Sequence, residues 1–241
     1  MTQTALVTGA NKGIGLETAR QLAQRGIHLL VGARDRNKSE AAVAELRSEG
    51  LSAEAIVIDV ISEESIRRAL DEVASRHQSL DILVNNAGVL LDDSTKPPSQ
   101  QTLEVWRRTY EANVFGVVAV TRAFLPLLRQ APAARIVNVS SILGSLTLHS
   151  DPSSRVYGSS SVAYDSSKTA LNAWTISLAI ELRQTPIKVN AVHPGHVKTD
   201  MGGQAAPMQI VDGARSSVEM ATLAADGPTG SYVHLGKSLP W

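Results

Sequence analysis

Short apolar runs alternate with longer amphipathic stretches along the chain, and no other feature constrains its fold as tightly. A run such as Ala5-Leu6-Val7-Thr8 is too short for a helix and does not alternate with polar residues, which is how a strand covered on both faces reads. The stretches between such runs place apolar residues at helical spacing. Repeated strand–helix–strand units of this kind close into a parallel sheet with helices on both faces. The pattern predicts strands at 5–8, 27–33, 55–59, 81–85, 135–139, 188–193 and 232–235. Helices are expected at 13–25, 38–49, 63–77, 163–183 and 211–224, with one or two more over 102–129. The 241 residues fit one α/β domain of doubly wound type, with a mainly parallel sheet of about seven strands. The polar segment Asp92–Gln100 with its double proline reads as a loop, and 141–162 and 200–210 are expected to be irregular too. Loops of an open α/β sheet gather at the carboxyl ends of the strands, where ligands bind, so the three point to one pocket.

Composition narrows the chemistry. With no cysteine, disulfides, thiol nucleophiles and cysteine-based zinc sites are excluded. The histidines show no metal-ligand spacing, so no metal is expected. Lys+Arg and Asp+Glu are both 23, and the formal net charge of zero gives no electrostatic reason for nucleic acid or an anionic membrane as partner. No uninterrupted apolar run is long enough to span a membrane, and a strand-like segment begins at once without a basic and apolar leader. A cytoplasmic protein acting on a small molecule is the expectation.

Thr8-Gly9-Ala10-Asn11-Lys12-Gly13-Ile14-Gly15 lies between the first expected strand and helix. Gly9 would permit a tight turn, Gly13 a close backbone approach to a pyrophosphate, and Gly15 close helix–strand packing. The helix N-terminus then offers N–H groups and its positive dipole end to phosphate. By itself the spacing Gly-x3-Gly-x-Gly also fits an ordinary glycine-rich turn. The second strand ends Gly32-Ala33-Arg34-Asp35. An NAD site places an acid there, about 20 residues past the glycines, for the ribose 2′-hydroxyl, whereas a basic neighbour suits a 2′-phosphate. Ala33 stands where the acid is sought and Arg34 follows it. NADP(H) is therefore preferred over NAD(H), with Lys12 or Lys38 assisting Arg34. The competing reading is a solvated face of Arg34, Lys38, Asp35 and Glu40.

Tyr164-Asp165-Ser166-Ser167-Lys168 opens the helix expected at 163–183, which puts Tyr164 and Lys168 on one face. A tyrosine with its ordinary pKa near 10 exchanges protons poorly at neutral pH, and a neighbouring ammonium would stabilise the phenolate and lower that pKa. The spacing alone is equally that of a helix with one exposed lysine. Ser140 follows the strand 135–139 and is expected to steer a substrate carbonyl to Tyr164, the alternative being a turn cap.

Taken in order, these segments resemble the short-chain dehydrogenase/reductase superfamily in its shorter type. The resemblance rests on TGxxxGIG at Thr8–Gly15, Asp59-Val60, NNAG at Asn85–Gly88, Asn113, Ser140, YxxxK at Tyr164–Lys168, and Pro194-Gly195 with Val197 and Thr199. It implies a single Rossmann domain in which Asp59 and Val60 contact the adenine, and Asn86, Ala87 and Gly88 shape the cleft beside the adenosine ribose. Val197 and Thr199 would reach the nicotinamide carboxamide. Lys168 would bind the nicotinamide ribose and lower the Tyr164 pKa, and Asn113 would hold a water that relays protons.

Within the superfamily, the TGANKGIG turn, Ala33-Arg34-Asp35, and a tail with Gly227-Pro228 and Trp241 resemble the NADPH-dependent carbonyl reductases. That implies reduction of a ketone, aldehyde or quinone by NADPH with Tyr164 as general acid. The alternatives are an NAD-dependent secondary alcohol dehydrogenase and a silent dinucleotide-binding regulator. The gap from Ser140 to Tyr164 is intermediate in length for the superfamily, which leaves monomer and homo-oligomer both open. Leu143, Tyr157 and Met201 are candidates for apolar substrate contact. His193 reads as a strand-end histidine with a backbone partner in preference to a catalytic group.

Overall fold

The computed structural model describes residues 2–159 and 161–241. Strands β1 (Thr4–Thr8), β2 (His28–Ala33), β3 (Ala53–Val57), β4 (Ile82–Asn85), β5 (Arg135–Val139), β6 (Lys188–Val192) and β7 (Tyr232–His234) are parallel. A short strand, β8 (Lys237–Ser238), closes one edge antiparallel to β7, and the sheet order is β3-β2-β1-β4-β5-β6-β7-β8. Helices α1 (Gly13–Ala23), α2 (Arg36–Ser48) and α8 (Ile210–Ala221) cover one face. The other is covered by α3 (Glu63–Arg76), α5 (Gly116–Gln130) and α7 (Val162–Glu181), with α4 (Leu103–Tyr110) packed against α7.

The unbroken apolar runs are explained by this two-sided burial. Ala5, Val7, Leu29 and Val31 pack into the core on the first face, and Leu6 and Leu30 into the core on the second. Alternate side chains along each strand thus meet different helices, and neither row touches water. Helix starts follow capping chemistry. Asp35, Ser62 and Thr102 accept the backbone N–H of Lys38, Ser65 and Val105 and so fix the first turns of α2, α3 and α4.

Over 102–129 the sequence pattern left one or two helices open. The chain forms one continuous run in which a π-helical turn, Glu111–Phe115, joins α4 to α5. Leu103–Gln130 is apolar and long enough to cross a membrane by composition alone, yet half of its most apolar window is buried inside this fold.

The mainly parallel sheet is as expected and gains one short strand, and one loop expectation needs correction. The sheet has eight strands because Leu235 and Gly236, at φ 46° and 74°, turn the chain back to pair Lys237-Ser238 with β7. Two exposed polar residues give no apolar signal for a strand. The segment 141–162 is not irregular throughout. Ile142–Gly144 forms a 3-10 turn and Leu146–His149 a short helix, α6, each started by a serine hydroxyl, Ser141 and Ser145. Ser160 in that segment lies outside the described residues. The 92–100 segment ends in a 3-10 turn at Pro98–Gln100, and 200–210 stays irregular until α8 begins at Ile210.

At the amino end of the sheet, Arg135 is only 5% exposed and has no carboxylate partner among the described residues. Its guanidinium donates instead to the carbonyls of Ala133, Ala134, Pro186, Leu223 and Ala224 at 2.7–3.4 Å. Burial pulls its pKa down, and the bonds tie β5 to the chain entering β6 and leaving α8. Arg135→Ala would take this donor from the Ala133, Pro186 and Leu223 carbonyls, while those of Ala134 and Ala224 keep the N–H groups of Lys188 and Gly227. It is expected to lower the unfolding free energy by about 3 kcal/mol, read as a lower urea midpoint at unchanged slope.

Candidate active site

The strand order reverses between β1 and β4, and an open sheet forms its crevice at the carboxyl ends on either side of such a point. Four interactions close the two strand ends on each other. Thr8 Oγ1 accepts the N–H groups of Asn86 and Ala87 at 3.1 Å each, and Asn86 Nδ2 donates to the carbonyls of Thr8 and Gly9 at 2.9 and 3.2 Å. The glycine-rich turn has to pass through what is left. A Cβ on Gly15 would stand 2.4 Å from Asn86 Nδ2 and 2.6 Å from the Gly9 carbonyl oxygen, and Gly9 and Gly13 adopt φ of 64° and 58°. Lys12, the N-cap of α1, makes no side-chain cap, so the first-turn N–H groups beside Gly13, Ile14 and Gly15 stay available to an anion. These residues fit a dinucleotide pyrophosphate.

Arg34 is exposed at the end of β2 and has no side-chain partner among the described residues. Arg34, Asp35, Lys38 and Glu40 are all exposed, with Asp35 capping α2 and Glu40 pairing with Arg36. Lys12 is engaged elsewhere, in an ion pair with Asp200. Asp59 and Val60 come to the same sheet edge past β3, where the Val60 carbonyl lies so near Gly116 that a Cβ there would sit 2.8 Å away. Beyond β6, Gly195 takes φ 94°, and the Thr199 methyl lies 3.6 Å from where a Gly13 Cβ would be. The Val197 side chain is buried against Gly213 of α8.

The catalytic end is buried. Asn113, Tyr164 and Lys168 are 0%, 8% and 5% exposed, and Lys168 Nζ lies 5.5 Å from the centre of the Tyr164 ring while donating to the Val139 carbonyl at 2.8 Å. Asn113 stands in the π-helical turn. Its amide exchanges two bonds with the Val89 backbone at 2.8 Å each and donates to Ser167 Oγ at 3.0 Å.

The structure corrects two readings here. The expected lowering of the Tyr164 pKa is not seen: burial pushes it up to about 12, with Asp165 adding to the rise and the Ser141 hydroxyl opposing it. Lys168 is pulled down to about 8 by burial. The second correction moves the serine by one residue. Ser140 Oγ is bonded to Asn172 Oδ1 at 2.6 Å in the interior, and Asn138, two residues earlier, donates to Thr175 of the same helix. Extended backbone at Ser141 (φ −154°, ψ 146°) carries the pleat one residue further, so Ser141 turns away from that row and meets the Tyr164 phenol.

The whole constellation has relatives. A family model described as short chain dehydrogenase matches residues 3–210. A short-chain dehydrogenase from Penicillium roqueforti is 41% identical over 223 residues, covering 90% of this chain and 87% of the relative. A cyclopentanol dehydrogenase from Comamonas testosteroni is 35% identical over 215 residues, 89% and 79% of the two chains. The structure of an NADPH-bound carbonyl reductase from chicken fatty liver superposes with a TM-score of 0.86 at 28% identity, over 100% and 99% of the chains. The chain belongs to the short-chain dehydrogenase family. It is an oxidoreductase of that type, with carbonyl reductases and alcohol dehydrogenases among its relatives.

In this short-chain dehydrogenase the roles of Asp92 and Ser167 beside the site escaped the sequence reading. Asp92 binds the backbone of Tyr164 from the 92–100 segment, and Ser167 bonds its carbonyl. Trp241 stacks on Tyr232, and its carbonyl accepts from Ser145 and Thr147, fixing α6 beside the site. His193 accepts the Ile142 N–H on Nδ1 at 3.1 Å, and burial together with His234 and His196 takes its pKa down to about 3, so it stays neutral. Tyr157 and Met201 are exposed and Leu143 is half-buried.

His28, Glu54 and His77 do converge, within 4.8 Å, although no sequence spacing links them. They lie at the amino-terminal edge of the sheet, remote from Tyr164. His77 and His28 approach Glu54 Oε1 at 2.6 and 3.3 Å, and Arg76 donates to Oε2 at 3.1 Å. A guanidinium on the same carboxylate weighs against a second cation there.

Asp165 is 7% exposed beside Tyr164. Burial raises its pKa to about 6, Asp92 adds to the rise, and Ser159 and His149 oppose it. The folded protein thus binds this proton more tightly than the unfolded chain. Stability falls as pH rises from about 4 to 6, and the penalty is complete above that range. Asp165→Asn is expected to be more stable than the parent by about 2 kcal/mol at pH 8, with the gap closing by pH 4 in denaturant titrations.

Proposed function

We propose that the chain reduces the carbonyl of a ketone, aldehyde or quinone with NADPH, and oxidises the secondary alcohol in reverse. The observation that carries this reading is the buried convergence of Asn113, Ser141, Tyr164 and Lys168 beside the glycine-rich turn. When bound, the reduced nicotinamide supplies the hydride that the carbonyl carbon accepts. The Tyr164 phenol gives its proton to the carbonyl oxygen, so the C=O bond becomes CH–OH and the tyrosine is left as phenolate. A pKa raised to about 12 keeps Tyr164 protonated and ready to donate throughout the neutral range. The Ser141 hydroxyl, next to that phenol, is placed to hydrogen-bond the same oxygen as charge develops. The Lys168 ammonium offsets the phenolate and would hold the nicotinamide ribose of the bound cofactor. Asn113 holds the backbone around both. Ser141→Ala is expected to lower kcat by about 100-fold and Tyr164→Phe by more, with NADPH binding retained in both. Ser140→Ala should cost chiefly stability. Absorbance loss at 340 nm against a panel of ketones, aldehydes and quinones reads all three, and a fully active Tyr164→Phe would overturn the mechanism.

NADPH is favoured over NADH by Arg34, exposed past β2 next to the turn in which Ala10 N–H bonds Gly32 O, and by Ala33 where an acid would bind the 2′-hydroxyl. Arg34→Ala is expected to weaken NADPH binding about tenfold and leave NADH binding unchanged, measured by cofactor fluorescence. Tighter NADH than NADPH binding in the parent would favour the second reading, an NAD-dependent secondary alcohol dehydrogenase, which the likeness to a cyclopentanol dehydrogenase keeps in view.

A further inference from the structure

Tyr164 sits in the first turn of α7, whose own N-cap residue, Ser161, makes no side-chain cap. Those first-turn N–H groups are satisfied from across the site. Asp92 Oδ1 accepts from Ala163 N–H at 2.8 Å and Oδ2 from Tyr164 N–H at 3.0 Å, from a residue 71 positions before Ala163. Both oxygens of one carboxylate are used on two consecutive amides, one of them belonging to Tyr164. A carboxylate suits this place, because its charge lies at the positive end of the helix dipole and its two acceptors span two donors.

The segment that carries Asp92 is fixed on both sides. Upstream, Val89 is locked to Asn113 by two bonds of 2.8 Å. Downstream, Gln101 brackets Asp93, accepting its N–H at 3.1 Å and donating to its carbonyl at 2.7 Å. On the other side of Tyr164, Ser167 Oγ donates to the Tyr164 carbonyl at 2.7 Å and accepts from Asn113 at 3.0 Å. The Tyr164 backbone is therefore gripped at its N–H and at its C=O by groups that both lead back to Asn113.

We propose that Asp92 is a positioning residue, whose carboxylate on the Ala163 and Tyr164 amides sets where the Tyr164 phenol meets the substrate oxygen. The assignment rests on the reading of Tyr164 as general acid. Proton transfer needs heavy atoms within hydrogen-bond reach, and a displacement of about 1 Å costs on the order of 100-fold in rate.

The test compares Asp92→Ala, Asp92→Asn and Thr185→Ala in the whole protein. Thr185 bonds the Leu182 carbonyl and the Ile187 N–H near the far end of α7, so its loss loosens the same helix remote from Tyr164. Asp92→Ala is expected to lower kcat about 30-fold, leave substrate KM and NADPH affinity within about twofold, and speed amide exchange at Ala163 and Tyr164. Asp92→Asn, which keeps one acceptor, should fall between it and the parent in both readouts. Thr185→Ala should lower the Tm and leave kcat unchanged. The assignment is overturned by parental kcat in Asp92→Ala, by unchanged exchange at the two amides, or by an equal loss of kcat in Thr185→Ala. A silent Asp92→Ala in an enzyme that Tyr164→Phe inactivates removes Asp92 alone. An active Tyr164→Phe removes the general acid and the role of Asp92 with it.

Discussion

The pairing of β1 between β2 and β4 is the constraint on which the site depends. All three strands run parallel, so the chain leaves β1 and β4 side by side, one through Gly9 and the other through Asn86. Thr8 and Asn86 then spend their hydrogen-bonding groups on each other's strands, and the two exits are closed to within the width of a glycine. The closeness that rules out a side chain at Gly15 also brings the N-terminus of α1 against the crevice. One packing requirement thus supplies both the turn and its uncapped amides.

From that junction the chain runs without interruption to the chemistry. Past Gly88 it reaches Val89, which Asn113 holds, and then Asp92, which holds Tyr164. A Cβ on Gly88 would come within 3.1 Å of Asn113 Oδ1 and 3.6 Å of Lys168 Nζ. The glycine of the Asn85–Gly88 motif therefore leaves room for two polar side chains. Asn113 can serve both Val89 and Ser167 because the helix that bears it is wound locally as a π turn, which re-aims a side chain within a continuous helix. Its burial is tolerable because both ends of its amide are bonded.

Most of the fold could be read from periodicity, because strands buried on two faces and helices buried on one leave different signatures. The residues that failed did so for local reasons. Lys237-Ser238 forms a strand through a turn in positive φ and carries no apolar pattern. Ser140 and Ser141 are adjacent and identical, so composition could not separate them; only the pleat decides which one enters the helix interface and which one meets Tyr164. The strand phase set by Asn138 held that information, since residues two apart share a face. Asp92 had no local signal at all. Its partners lie far along the chain, and Ser161, of a residue type that often caps helices, stands at the N-cap without capping it. The Tyr164 pKa was misjudged because helical spacing brings an ammonium near a phenol but says nothing of how much water both have lost.

That loss of water gives the pair its character. Burial disfavours the charged form of each partner, moving Tyr164 up to about 12 and Lys168 down to about 8. In water a phenol and an ammonium this far apart would scarcely influence each other. In a dry site the same poor screening that penalises an isolated charge strengthens the attraction between two opposite ones. A neutral Tyr164 is therefore stable until its proton has somewhere to go, and the phenolate it becomes finds the Lys168 ammonium 5.5 Å from its ring centre. Asp165 fits this arrangement through its own raised pKa. Its ionised form, dominant above about pH 6, opposes the phenolate and adds to the rise at Tyr164, so the Lys168 charge is needed all the more. The cost of burying three titratable groups together is thus tied to one outcome, a tyrosine whose ionisation is favourable only when opposite charge is at hand.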